Sequence, residues 1–247
     1  MCANVYNEDT PNNDDWKGHD MDQKQIKRNR NYFTKTDTLL FVGIGLLIVG
    51  VVLFFFGYGY LSYIIASVLA PVGLVMMLIG ASQRVTDADM DTCIARLTEG
   101  MAVDFVENPK FEKRIQKQIP VLQVQNYLYD DKLLHKYAKS GSVRSERFDA
   151  AILYALDTEL YVVRRQIALL DQREPETEII RIPYESMQTP EVVQESVTLT
   201  FGKKTRTVNY SLLCIKADGV DLRLPMQSNA DVDDFISRMR RLLAEKG

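Results

Sequence analysis

A long stretch without charge constrains the fold of this chain more than any other feature. Residues 38–83 contain no Asp, Glu, Lys or Arg, and most of them are apolar. An α-helix rises about 1.5 Å per residue, so crossing a hydrocarbon layer about 30 Å thick takes about 20 apolar residues. The stretch is long enough for two crossings, and it therefore predicts a membrane anchor.

The middle of this stretch predicts a turn. Gly57, Tyr58, Gly59 and Tyr60 interrupt the apolar run. Glycine weakens a helix, and tyrosine favours the headgroup level of a bilayer. We expect one span over residues 38–57 and a return span over residues 61–82, which together form a transmembrane helical hairpin.

Small residues recur along both predicted spans, and small side chains let helix backbones approach closely. They are Gly43, Gly45 and Gly50 on the first span and Ala66, Ala70 and Gly73 on the second. Two interpretations stay open, because these residues suit packing within the hairpin as well as association between protomers. The spans carry no ionisable side chain that could bind an ion or relay a proton, which argues against a transporter or channel.

The charges that flank the spans predict the topology. Basic residues precede the first span and follow the second, whereas the turn between them carries none. The bases are Lys24, Lys27, Arg28, Arg30, Lys35 and Arg84. By the positive-inside rule we expect a multi-pass protein of the cell membrane with both termini in the cytoplasm. Additional attraction of the bases to anionic lipid is an alternative use of the same cluster.

The N-terminal segment has the composition of a disordered chain. Residues 1–22 are rich in Asn and Asp and show no apolar periodicity, and the basic cluster follows them. Such a segment buries too little apolar surface to offset the entropy of ordering. We therefore expect residues 1–37 to form a disordered cytoplasmic tail, acidic and then basic.

Charge and rare residues exclude several classes of function. The net charge is −3, so no overall field favours nucleic acid as a partner. Cys2, Cys93 and Cys214 are widely spaced, which predicts a reducing compartment rather than a disulfide framework. His19 and His135 are the only histidines. The sequence thus predicts no metal site, no cofactor and no catalytic constellation, and we expect a protein that is not an enzyme.

Residues 84–120 are expected to link the spans to a soluble domain. Acidic residues begin the segment 85–107, and apolar residues follow at helical spacing, which predicts one amphipathic juxtamembrane helix. The apolar positions are Met90, Ile94, Leu97, Met101 and Phe105. The helix either packs this stripe on its own domain or associates with a second copy, and both interpretations stay open.

From residue 133 the apolar period changes from that of a helix to that of a strand. Residues 196–201 alternate between apolar and polar, and Asp218 and Gly219 form a preferred hairpin turn before residues 220–224. The pattern predicts about seven antiparallel strands. They cover residues 133–139, 148–156, 159–170, 178–183, 196–201, 207–216 and 220–224.

The last segment, residues 229–246, predicts an amphipathic helix. Its start is acidic and its end is basic, which suits the helix dipole. Its apolar stripe comprises Val232, Phe235, Ile236, Met239, Leu242 and Leu243. We expect this face to close the open end of a curved sheet.

The order of about seven strands and one C-terminal helix resembles the bacterial pleckstrin-homology-like (PH-like) family. The similar motifs are ELYVVRR from Glu159, IPYESM from Ile182, ADG from Ala217, and the acidic start and basic end of the last helix. The resemblance covers residues 133–246, less than half of the chain. It implies a PH-like antiparallel β-barrel capped by the helix, and it implies binding rather than chemistry. The expected fold class is α+β, with the domain over residues 121–247.

Two functions follow as expectations. The first is a non-enzymatic, membrane-anchored interaction module, either an adaptor or an accessory subunit of a membrane assembly. It would meet a protein partner or another copy through the hairpin or the linker helix. The second is recognition of anionic lipid headgroups at the inner leaflet, which the resemblance places near the first two strands. Its candidate contacts are Lys136, Lys139, Arg144 and Arg147.

Each candidate site also has a feature that opposes it. Glu146 lies between Arg144 and Arg147 and would repel a phosphate. Relatives of the PH-like fold bind extended peptides by strand addition, which makes Thr198 and Thr200 candidate peptide-edge contacts. Lysines next to an edge strand discourage such pairing, and two follow this strand after one glycine. They are Lys203 and Lys204.

Overall fold

The described chain is α+β, with two apolar helices followed by antiparallel sheets. The structure is a computed structural model that describes residues 23–34, 37–101, 109–138, 140–173, 175–201, 204–227 and 230–246. These residues fall into two units, a helical unit Gln23–Asp91 and a second unit Thr92–Gly247 that holds every described strand.

The helical unit contains the two predicted spans. It comprises α1 (Gln23–Thr34), α2 (Thr38–Phe56), α3 (Tyr60–Ser82) and the first residues of α4 (Asp87–Thr98). Helices α2 and α3 are long and apolar enough to cross a membrane, by length and composition. Between them Gly59 adopts a left-handed φ of 97°, which favours glycine. The interruption predicted at residues 57–60 is therefore where the structure turns.

Helices α2 and α3 pack side by side in opposite directions, with glycine at the closest approaches. A Cβ atom on Gly43 would lie 2.5 Å from the backbone nitrogen of Met77, and one on Gly73 would lie 2.4 Å from that of Leu47. Both distances are too short for any larger residue without movement of a backbone. Gly45 is different, because nothing lies within 4 Å of the equivalent atom. Packing between the two helices thus accounts for Gly43 and Gly73 but not for Gly45.

Helix α1 departs from the expectation of a disordered tail over residues 1–37. Residues 1–22 lie outside the described chain, whereas Gln23–Thr34 form a helix. Asn29 and Tyr32 are buried, and the Tyr32 hydroxyl donates a hydrogen bond of 2.7 Å to Oδ1 of Asp87. Tertiary contacts of this kind stabilise helices whose own propensity is modest.

Helix α4 begins as predicted but ends earlier. The backbone N–H of Thr86 donates to Oδ2 of Asp89 at 2.8 Å, and the N–H of Asp89 donates to Oγ1 of Thr86 at 3.2 Å. This reciprocal cap fixes the helix start. The helix ends at Thr98, before Gly100 with a φ of 81°, rather than at residue 107. Phe105 lies outside the described residues, and a short helix α5 (Pro109–Glu112) follows.

Burial decides how the α4 stripe is used within the second unit. Ile94, Leu97 and Met101 are all buried in this chain. This burial is what the first interpretation expects, in which the stripe packs on its own domain. Association of the helix with a second copy stays a prediction.

The described strands form three antiparallel sheets. Their orders are β1-β4-β5-β6, β2-β3 and β7-β8-β9. The strands are β1 (Leu122–Tyr127), β2 (His135–Tyr137), β3 (Val143–Ser145), β4 (Arg147–Ala155), β5 (Glu159–Ala168), β6 (Thr177–Pro183), β7 (Glu191–Phe201), β8 (Lys204–Ala217) and β9 (Val220–Met226). A 3₁₀ turn, Tyr184–Ser186, joins β6 to β7, and α6 (Ala230–Lys246) ends the described chain.

The sheets do not close into one barrel, which corrects the expected architecture. Within the described residues, β6 and β7 each pair with one neighbour only, because a turn bounded by Pro183 and Pro190 separates them. Strand β1 was not predicted, although Leu122 and Val124 are buried and alternate with exposed glutamines. It pairs with β4, with Leu122 opposite Leu153.

The core of the second unit lies between the four-stranded and three-stranded sheets, and α6 completes it. Val232, Phe235 and Met239 of α6 are buried in the same cluster as side chains from both sheets. Helix α6 packs mainly on β1 and the 3₁₀ turn. At its end the Lys246 ammonium bonds to the Asp157 carbonyl and lies 4.8 Å from the Tyr184 ring centroid. The apolar stripe predicted for the last helix is the face that the structure buries.

Candidate functional site

Three of the four candidate headgroup contacts lie in the described chain, and their environments differ. Lys136 and Arg144 are opposite each other in the β2–β3 ladder, but Arg144 is only 8% exposed. Its Nη1 donates to Oη of Tyr127 at 3.4 Å, and its guanidinium lies 5.9 Å from the centre of the same ring. Arg147 is exposed at the start of β4, and Lys139 lies outside the described residues. Although Arg144 and Arg147 are close in sequence, Arg144 is buried and Arg147 is exposed.

Arg147 lines an open groove of about 730 Å³ at the ends of β4, β5 and β6. The described residues that line the groove include three bases and three acids. They are the arginines Arg147, Arg164 and Arg173 and the acids Asp171, Glu176 and Glu178. An anionic ligand would therefore meet carboxylates as well as guanidinium groups.

Arg164 is already committed to a buried carboxylate. Its Nη2 lies 2.6 Å from Oδ2 of Asp149, and its Nε donates to both carboxylate oxygens, at 3.2 and 3.0 Å. The Asp149 side chain is fully buried, and this burial raises its pKa while Arg164 opposes the shift. Glu178 adds a second carboxylate 4.0 Å from Arg164. The ion pair of Arg164 with Asp149 is thus part of the structure at this end of the sheet.

Of the three arginines in the groove, Arg147 is the one most available to a ligand. Arg173 pairs with Asp171 at 3.2 Å, whereas Arg147 forms no ion pair within the described residues. One uncommitted guanidinium among three carboxylates gives little net attraction for a phosphate. The groove offers a weak anion contact rather than a formed headgroup site.

The candidate peptide edge has a clearer geometry. Thr198 and Thr200 are exposed on β7, and β7 pairs with β8 on one side only among the described strands. No described strand pairs with its other side, and the backbone donors and acceptors of such an edge are the groups used in strand addition. Lys204 is exposed at the start of β8, while Lys203 lies outside the described residues.

Aromatic contacts fix the far end of this edge. The Tyr137 ring of β2 lies 6.3 Å from the ring of Phe201, and the Arg206 guanidinium lies 4.3 Å from the Tyr137 centroid. The Tyr210 hydroxyl donates to Oε2 of Glu195 at 2.9 Å. Burial, and then this hydrogen bond, raise the pKa of Tyr210 to about 12. The β2–β3 hairpin therefore holds the tip of the β7–β8 hairpin in place.

The outer face of the four-stranded sheet is covered by the segment that precedes it. The Phe111 ring packs edge-on against Tyr154 and Tyr161, with ring centroids 5.4 and 5.0 Å apart. Arg165 donates from Nη1 to the carbonyl of Leu97 at 2.8 Å and from Nε to Oγ1 of Thr177 at 2.9 Å. The carbonyl groups at the end of α4 thus receive a cationic cap.

Further contacts extend this cover, here called the linker strap (residues 97–101 and 109–116). The Gln116 N–H donates to the carbonyl of Ala155 at 2.8 Å, and Arg114 pairs with Glu159 at 3.0 Å. The strap removes this face from the surfaces open to a partner. A signal in the sequence was the run AAILYAL from Ala150, which is apolar at every position and typical of a strand buried on both faces.

Comparisons with known proteins give no match. No protein-family model matches this chain, no curated protein matches it, and no solved structure matches it. The resemblance to PH-like domains therefore depends on strand order and short motifs. Function has to be argued from the residues of this chain.

Proposed function

We propose that this protein is a membrane-anchored interaction module in which α2 and α3 cross the bilayer. The observation that supports the anchor is the exposed surface of these helices. Gly43 and Gly73 pack inward, while large apolar side chains such as Phe55 and Phe56 remain 72% and 76% exposed. Apolar surface of this extent is costly in water at about 25 cal/mol per Å², and lipid acyl chains would cover it.

Charge at the base of the two helices supports the proposed topology. Arg84 lies 3.6 Å from Asp37, so the start of α2 and the chain after α3 meet at one end. The bases of α1 precede that end, and the turn at residues 57–60 carries no charge. Both termini would then be cytoplasmic, in a multi-pass protein of the cell membrane.

We further propose that the second unit is a PH-like domain that binds a protein rather than catalysing a reaction. Its strand order supports this, since β1, β4, β5 and β6 form one sheet, β7 to β9 form another, and α6 follows. The β2–β3 hairpin is then an insertion after the first strand. With the outer face of the four-stranded sheet under the linker strap, the β7 edge at Thr198 and Thr200 is our candidate docking edge.

Cysteine accessibility in intact cells tests the anchor and its topology. In a background where Cys2 is replaced by serine, Tyr58→Cys should react with a membrane-impermeant maleimide from outside, and Gly247→Cys should react only after the cells are permeabilised. The reverse pattern would overturn the proposed orientation. Release of the protein by alkaline carbonate would overturn the anchor itself, because membrane-spanning helices resist this extraction.

A crosslinking experiment tests the docking edge. Photoreactive residues at Thr198 and Thr200 should capture a protein in cells, and the same residue at Ser237, exposed on α6, is the matched control. Capture at β7 and not at α6 would support strand addition. Equal or absent capture at both positions would remove β7 as the docking edge.

Arg147 favours a second candidate function, the binding of anionic headgroups by the domain. It is the exposed arginine of the groove without an ion pair in the described chain. The three carboxylates of the groove predict weak, salt-sensitive and unselective binding. Arg147→Glu in the reconstituted full chain should change lipid selectivity little. Tight selective binding abolished by this substitution would make headgroup recognition the leading function.

A further inference from the structure

We propose that the β7 edge binds a second copy of this chain by antiparallel strand pairing about a two-fold axis at Thr198. Residues 195–201 of each copy would pair, and the two three-stranded sheets would join into one sheet of six strands. The inference rests on the proposed docking at β7 and names its partner. It differs from that proposal because it requires no other protein.

The open side of β7 lacks the charges that usually protect an edge strand. Residues 196–201 read SVTLTF and contain neither a charged residue nor proline. Native proteins commonly place such residues on a free edge to prevent pairing with another chain. No described strand pairs with this side of β7. The edge therefore has the composition of a strand that is used for pairing.

The sequence of β7 is complementary to itself when two copies run in opposite directions about Thr198. On the exposed face, Thr198 would lie opposite Thr198 of the second copy, and Ser196 opposite Thr200. On the other face, Val197 would lie opposite Leu199. Hydroxyl pairs and apolar β-branched pairs stabilise antiparallel strands, and no like charges would oppose each other. A symmetric interface requires this kind of self-complementarity.

The charges at the two ends of the pairing region also favour the antiparallel direction. Glu195 would lie opposite Phe201 of the second copy, whose own neighbour across the β7–β8 ladder is Lys204. Glu195 would then be about 10 Å from the backbone of that lysine, within reach of its long side chain. A parallel pairing would bring the two lysines side by side instead. Glu195 already bonds to Tyr210 and Arg223, so the added attraction mainly sets direction.

The pairing is short, which predicts a weak dimer. The seven residues 195–201 span about 24 Å at about 3.4 Å per residue. A single strand pair of this length is a small interface beside the standard of about 800 Å² per partner. Anchoring both copies in one bilayer would raise their effective concentration. We therefore expect dimers in bilayers and monomers in dilute detergent.

Disulfide formation tests the register. In the full chain with Cys2→Ser, reconstituted in phosphatidylcholine bilayers, Thr198→Cys should give a linked dimer under mild oxidation, because the two Cβ atoms would be about 5 Å apart. Ser196→Cys should link to Thr200→Cys in a mixture but not to itself. The matched control is Thr207→Cys, exposed and opposite Thr198 in the β7–β8 ladder. Its two copies would be about 14 Å apart, too far for a disulfide.

A charge exchange tests the pairing without cysteine. Thr198→Lys or Thr198→Glu alone would place like charges opposite each other at the two-fold axis. Energy transfer between donor-labelled and acceptor-labelled copies in the bilayer should then report association about tenfold weaker. An equal mixture of the two variants places unlike charges there and should recover the transfer. Recovery on mixing shows that the loss did not come from misfolding.

Three results would overturn the inference: no disulfide from Thr198→Cys, an equal disulfide from Thr207→Cys, or no recovery in the charge mixture. The proposed docking edge can survive this failure. If a photoreactive residue at Thr198 captures a different protein while Thr198→Cys forms no dimer, β7 is a docking edge and this inference alone is wrong. Absence of both the capture and the disulfide would contradict both proposals.

Discussion

Asp149 illustrates how a buried charge depends on its partners, here Arg164 and, by a further side-chain hydrogen bond, Gln166. Its carboxylate has no exposed surface and is held by Arg164 through three hydrogen bonds. Removing one member of such a pair leaves a desolvated charge, which costs far more than the pair contributes. The sequence presented both residues in strands, but it could not reveal their pairing, because the contact depends on the registry of β4 and β5.

Arg164→Ala is therefore expected to lower the free energy of unfolding of the second unit by about 3 to 5 kcal/mol at neutral pH. The measurement is pulse proteolysis in urea. Arg173→Ala is the control, since Arg173 is 89% exposed beside Asp171 and its loss should change stability by less than about 0.5 kcal/mol. Equal effects of the two substitutions would contradict the structural role of the buried pair.

The same pair has a pH dependence with a definite sign. Burial raises the folded-state pKa of Asp149 above its unfolded value, so the folded state takes up a proton first as the pH falls. The raised pKa lowers the stability of the folded state. This loss is absent below the unfolded pKa, grows as the pH rises from the unfolded to the folded pKa, and is constant above it. In Arg164→Ala the folded pKa should rise further. Its destabilisation should therefore shrink as the pH falls from 7 toward about 4, and a constant difference would contradict this account.

Among the elements, those with strong periodicity were predicted and those that depend on tertiary contacts were not. Helices α2 and α3 follow from composition alone, and α6 follows from its stripe. Helix α1 was missed because its stability comes from the burial of Asn29 and Tyr32. Likewise, Arg144 was a candidate headgroup contact, and nothing in the local alternation showed that β3 places it beside Tyr127.

Two glycines of α2 give a matched test of the helix contact. Gly43→Ala places a methyl group against the Met77 backbone, so we expect a loss of about 1 to 3 kcal/mol, typical of overpacking. Gly45→Ala meets open space and should be neutral or stabilising by up to about 1 kcal/mol through helix propensity. Unfolding of the full chain in mixed micelles with increasing SDS measures both. A larger loss for Gly45→Ala would indicate instead that Gly45 faces a second protomer.

The linker strap gives a second test at this scale. Phe111→Ala removes the ring between Tyr154 and Tyr161 and should speed amide hydrogen exchange over residues 109–116. Phe111→Leu keeps most of the apolar contact and serves as the control. Unchanged exchange in the alanine variant would mean that the backbone bonds of Ile115 and Gln116 hold the strap without the ring.

At the scale of the whole molecule, the two units differ in how much apolar surface they expose. The helical unit exposes apolar side chains along α2 and α3, whereas the second unit buries its apolar residues between two sheets and α6. The two apolar helices and the antiparallel strands followed from the charge-free stretch and the change of period near residue 133. The arrangement of the strands into three sheets did not, because it depends on contacts far apart in sequence, such as that of β1 with β9.

The division predicts that urea will unfold the second unit while α2 and α3 stay in the bilayer. Phe235 is fully buried in the core, so Phe235→Ala should lower the stability of the second unit by about 3 to 5 kcal/mol. Cysteine crosslinking between Phe54 and Tyr63, whose rings meet across the helix contact with centroids 5.9 Å apart, should proceed equally in both proteins at every urea concentration. Urea weakens apolar burial from water, but it does not act on helices whose backbone bonds are sheltered by acyl chains. A parallel loss of the crosslink and of the core would mean that the two units unfold as one.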